Sequence, residues 1–119
     1  MTETGNFNSL GIVIAHTAAV HENAHQVVSL GLEAMKRGKR VGFFLLSDGV
    51  YNAIRGSGEV AAGLSQAISG GGKVFLSSEH VVASGIPGEK LIPGTETLEK
   101  PYEALVDLIM EEWDRVIMC

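Results

Sequence analysis

Residues 21–25 read His-Glu-Asn-Ala-His, the H-E-x-x-H spacing with which zinc-dependent hydrolases hold their metal. Two histidines four residues apart share a helix face, so His21 and His25 meet the first requirement of a zinc pair, and Glu22 stands where the general base belongs. The other requirements fail. The longer form of the motif needs Gly at Val28 and His at Gly31, and the apolar run Phe43-Phe44-Leu45-Leu46 stands where an acidic third ligand would follow. The match falls in the first turns of a helical pattern, and a chain of 119 residues is short for a peptidase cleft. The five residues are a chance match: neither a zinc peptidase nor a bound cofactor is expected.

Other reactive side chains gather at the ends of apolar runs. His16-Thr17 closes the first run, Ser47-Asp48-Gly49 the second and Ser77-Ser78-Glu79-His80 the third. Brought to one edge, His16, His21, His80 and Asp48 would suit a small anion or a metal; the plainer expectation is that His16 and His80 hydrogen-bond loop backbone. Ser77 and Ser78 lack the G-x-S-x-G elbow of a serine nucleophile and are placed to cap a helix. Gly56-Ser57-Gly58-Glu59 precedes a helix without a strand before it, and Gly70-Gly71-Gly72 precedes a strand, so neither is a phosphate loop. Cys119 is the single cysteine, which excludes an intrachain disulfide.

The elements that must carry these residues are legible as patterns. Residues 1–8 form a loose polar tail, and 9–119 a single domain. Continuous apolar, β-branched runs predict buried strands near 10–17, 40–47 and 73–78, with shorter strands at 95–98 and 114–119. Between them, apolar spacing of three and four residues predicts helices over 20–37, 59–69, 79–84 and 101–113, and the segment 50–55 has the look of a helical turn. Buried strands alternating with helices imply an α/β protein: a three-layer α/β/α sandwich on a five-stranded, mainly parallel sheet. Ligands of such sheets bind beyond the carboxyl ends of the strands, where the three clusters fall.

Composition narrows the function classes. With 9 Lys and Arg against 14 Asp and Glu, the charge is −5, and no basic cluster exists to neutralise phosphates, so nucleic acid is excluded as a partner. No apolar run reaches the length of a membrane span, no signal peptide is evident, and a cytoplasmic protein is expected. The chain is 45% hydrophobic and 19% charged, which fits a subunit that hides part of its surface in a homo-oligomer.

The stretch FFLLSDGVYNAIRG, an apolar strand running into Gly-Val-Tyr-Asn-Ala, resembles the DsrE/DsrF/TusD-like sulfur-relay family. KVFLSSEHVVASGI is similar to that family's third strand, active-site turn and short helix, and WDRVIMC to its last strand. The resemblance runs from residue 10 to the end. It implies the same five-stranded fold, assembly as a dimer, trimer or hexamer, and sulfur carried as a persulfide on a cysteine at the end of the third strand. Counting back from Gly85, that position is Ser77, which cannot form a persulfide. The resemblance thus implies a non-carrier subunit, paired with a cysteine-bearing paralogue or another sulfur-relay protein. The alternatives are a sulfurtransferase-type carrier acting through Cys119, and a non-catalytic binder of a small ligand or metal in a strand-end pocket of His16, Asp48, Tyr51, Asn52, Ser78 and His80.

Overall fold

A parallel sheet puts both faces of its central strands under helices, so those strands must be apolar throughout. Ser9–Ile14 (β1) and Arg40–Leu45 (β2) meet that condition: every residue of β1 and all but Arg40 of β2 are buried. Lys73–Ser77 (β3), Glu96–Leu98 (β4) and Arg115–Met118 (β5) complete the sheet in the computed structural model, which describes residues 7–17 and 23–119. All neighbours pair in parallel in the order β4-β3-β2-β1-β5. Burial declines outward, and β4 and β5, the edge strands, have no fully buried residue.

Alternation of side chains along each strand separates two cores. Leu10, Ile12 and Ile14, with Val41, Phe43, Leu45, Val74 and Leu76, face helices Asn23–Lys36 (α1) and Glu59–Ser69 (α2). Val13, Phe44 and Phe75 face the opposite way, toward Leu105 and its neighbours on the helix Pro101–Asp107 and the π-helical turn Leu108–Glu112. The architecture is a three-layer α/β/α sandwich. The short helix Ser78–Ala83 (α3) follows β3 directly, so the chain-order label of Pro101–Asp107 is α4. Each fully buried Phe or Leu contributes about 1.5–3 kcal/mol.

The second layer depends on two glycines. Trp113 lies over Gly11 and Gly42, and a Cβ built on Gly11 would overlap the indole. Asp114 then fastens the last strand to the first: its carboxylate accepts from the Asn8 amide at 2.7 Å, and its own amide donates to Ser9 Oγ at 2.9 Å. The Ser9 hydroxyl donates in turn to the Glu112 carbonyl at 2.7 Å, which satisfies a side chain that is 1% exposed. Phe7 packs on the first core.

Three boundaries differ from the apolar pattern. The first strand ends at Ile14 rather than near 17, and the second at Leu45 rather than 47. Ser47 adopts φ 49°, the one described non-glycine residue with positive φ, and turns the chain out of the sheet into the 3₁₀ segment Ser47–Ala53. The helix expected over 101–113 widens into its π turn before Trp113, which is already extended; that wider turn lowers the indole onto the glycines.

Candidate functional site

The order β4-β3-β2-β1-β5 reverses between β1 and β5, and the carboxyl edge of the sheet is where a crevice forms in such folds. Three loops rise from this edge, and the 3₁₀ segment Ser47–Ala53 links two of them. Gly49 makes that possible: it crosses the end of β1 so closely that a Cβ there would collide with the Ile14 carbonyl.

At its start, the 3₁₀ segment meets the corner between β3 and α3. The Ser47 amide donates to His80 Nδ1 at 3.0 Å, so a neutral His80 carries its proton on Nε2. The His80 ring also meets the edge of Tyr102, with centroids 6.3 Å apart at 82°. Ser77 is fully buried as the last residue of β3, and its hydroxyl accepts from the His80 amide at 3.4 Å as the N-cap of α3. Ser78, the first residue of α3, is half-buried. Asp48 is exposed one residue beyond Ser47. Ser77 therefore caps the helix and His80 bonds loop backbone, as their positions in the sequence lead one to expect.

At its far end, the 3₁₀ segment borders an open pocket of about 770 Å³ between the first turns of α1 and α2. Thr17, His25, Tyr51, Asn52, Ser57 and Glu59 supply its polar lining, and Ile54 and Val60 its apolar wall. Asn52 is 4% exposed, and its amide donates to the His16 carbonyl at 2.9 Å, which ties the loop after β1 to the pocket floor. The start of α2 has Gly58 as its N-cap and no side-chain cap, and the residues of its first turn, Glu59, Val60 and Ala61, line this space. His25 Nε2 sits 3.7 Å from Glu59 Oε2, across the gap between the two helices. His25 thus turns toward α2, while His21 and Glu22 of the H-E-x-x-H match lie outside the described residues. Among the described residues, no group of three or more His, Cys, Asp and Glu side chains is close enough to hold a metal ion.

Cys119 continues the ladder of β5 at the reversal point. Its amide donates to the Val13 carbonyl at 2.8 Å and its carbonyl accepts from the Ala15 amide at 2.9 Å. Burial pushes its thiol above the ordinary value of 9.0. The expected residues are therefore divided. Ser77, Ser78 and His80 share one corner with Asp48, Tyr51 and Asn52 share the pocket with the His16 backbone, and Cys119 stands at the end of β5. The contribution of Gln26, Ser57 and Glu59 to the pocket carries no motif; the signal for it was the uncapped glycine segment before α2.

No protein-family model matches the sequence, and no curated protein sequence does. Solved structures do. The ychN protein from E. coli superposes with a TM-score of 0.74 at 20% identity, covering 94% of this chain and 99% of its own. MTH1491 from Methanobacterium thermoautotrophicum, a protein of unknown function, gives 0.77 at 21% identity, with 93% and 98% covered. BT1422 from Bacteroides thetaiotaomicron, also of unknown function, gives 0.73 at 13% identity over the whole of both chains. At such identities the likeness is one of fold, and the fold that this chain shares with them is the parallel five-stranded α/β/α sandwich.

Proposed function

We propose that this chain is a DsrE-like, cytoplasmic protein of sulfur relay that serves as a non-carrier subunit, self-associated and working beside a cysteine-bearing paralogue or another relay protein. The observation that carries the reading is the corner at Ser77. In the family that the sequence resembles, a persulfide-bearing cysteine belongs at the end of the third strand. Here the residue at that end is a serine, fully buried, with its hydroxyl engaged as a helix cap. A hydroxyl is neither soft nor acidic enough to hold sulfane sulfur. The corner offers a helix-capping hydroxyl where the resemblance calls for a thiol.

Cys119 is the weaker carrier. Persulfide formation needs a thiolate, and burial pushes this thiol in the opposite direction. A second reading, a binder of a small polar ligand without catalysis, is favoured by the pocket between α1 and α2 with its buried Asn52 and exposed Tyr51.

The test is sulfur loading. After treatment with a small persulfide donor, intact-mass analysis of the wild type is expected to show no adduct at position 77. The variant Ser77→Cys is expected to gain about 32 Da, one sulfur atom on a thiol. A Ser77→Cys protein that folds normally yet takes sulfur only after unfolding would remove the sulfur-relay reading. Ready loading and onward transfer of sulfur by wild-type Cys119 would replace it with the carrier reading.

A further inference from the structure

Six of the 14 carboxylates but only one of the 9 cations lie within residues 99–114, so this segment carries the entire net charge of −5 and the rest of the chain balances. Within it the pattern Tyr102-Glu103, Val106-Asp107, Met110-Glu111 repeats an apolar residue followed by an acid every four residues. On a helix that spacing draws two adjacent rows. All six side chains are exposed. The apolar row is unusually bare, with Tyr102 at 55%, Val106 at 56% and Met110 at 76% exposure. The opposite side of the same helix, through Leu105, Leu108 and Ile109, already holds the second core, so among the described residues packing uses the two rows only through the edge contact of Tyr102 with His80.

The complementary surface lies at the β5 edge of the first layer. There an open groove of about 590 Å³ runs between α1 and β5, floored by Phe7, Leu10, Leu30 and Ile117. Among the described residues, three cations border it, Arg37, Lys39 and Arg115, against one carboxylate, Glu33, which is bonded to Arg37 at 3.3 Å. The apolar and acidic rows thus have an apolar and basic counterpart on the same chain, across the sheet from them. We infer that the ridge along α4 and the π turn of one copy docks in the α1–β5 groove of a second copy, a head-to-tail contact. Two different patches meeting in this way generate a ring when the rotation closes. Pairing α4 with α4 would instead oppose two segments of −5 each. The inference rests on the self-association in the functional reading above and names its surfaces.

A charge swap tests it. Light scattering at micromolar concentration is expected to give the wild type a mass above the 12.6 kDa of one chain. The ridge variant Glu103→Lys/Asp107→Lys/Glu111→Lys and the groove variant Arg37→Glu/Lys39→Glu/Arg115→Glu are each expected to run as single chains, and their mixture to reassemble. Circular dichroism checks that each variant folds; if a triple variant does not, the single changes Asp107→Lys and Arg37→Glu repeat the swap. A wild type of 12.6 kDa overturns both this inference and self-association. A wild type that associates while either folded variant also associates, or while the mixture stays dissociated, overturns the ridge-and-groove contact alone. Neither outcome bears on sulfur loading, so the two proposals fail separately.

Discussion

Single atoms decide what this sheet edge can do. Between serine and cysteine at position 77 the side-chain shape hardly changes, yet one heteroatom separates a helix-capping hydroxyl from a thiol able to form a thiolate. Ser47 shows the same economy: a left-handed residue other than glycine is unfavourable by about 1–2 kcal/mol, and here its amide is fixed on His80 Nδ1. Cys119 gives a prediction at this scale. Burial disfavours its thiolate, so the folded chain holds the thiol proton more tightly than the unfolded chain does. The stability linked to this group is therefore complete below the ordinary thiol value and is lost as pH rises through the folded one. Alkylation by iodoacetamide, followed by mass, is expected to show a higher midpoint in the folded protein than in denaturant. A folded midpoint below the denatured one would mark an activated thiol and would favour Cys119 as the carrier.

Among the elements, the second layer is the one most dependent on a single fit. It consists of one short helix, a π turn and an indole resting on two glycines. Gly11→Ala inserts a methyl group where Trp113 lies, and overpacking of this kind destabilises by about 1–3 kcal/mol. Urea unfolding is expected to show that loss, and Trp113 fluorescence to shift in the native baseline. An unchanged midpoint would mean that the indole does not rest there. This layer also shows how far the sequence could be read. Continuous apolar runs located β1, β2 and β3, because a strand buried on both faces has no polar positions; the edge strands β4 and β5 gave shorter signals, and Glu59–Ser69 was bounded by Gly58 and Gly70. What the runs could not reveal was where pairing stops. That is set by a side chain from elsewhere, Asn52 on the His16 carbonyl, and by the backbone of Ser47. The π turn had no local signal, since what selects it is the landing of Trp113 on Gly11 and Gly42, two glycines distant in sequence. The pocket was harder to read: its lining comes from the first turns of α1 and α2, the 3₁₀ segment and the loop before α2, and none of these is a motif alone.

At the scale of the molecule, burial is concentrated in β1, β2 and β3, and the flanks are thin. Native-state hydrogen exchange is expected to be slowest in Leu10–Ile14, Val41–Leu45 and Val74–Leu76 and to be much faster in β4 and in the π turn. Uniform protection across the sheet would contradict that gradient, unless a second copy covers the β5 edge. The strand order also has a consequence for how the chain is made. The partner of Leu10 in β5 is Arg115, so two strands that lie side by side are far apart in sequence, with β2, β3 and β4 made between them. While a ribosome is still synthesising α4, β1 can already hold β2 on one side, but its other side is a bare parallel edge with Leu10, Ile12 and Val13 beside it. The Asp114 bonds that fasten the start of β1 are also still to come. A nascent chain of this protein therefore holds its central strand available to the wrong neighbour until Arg115–Met118 has emerged to close it.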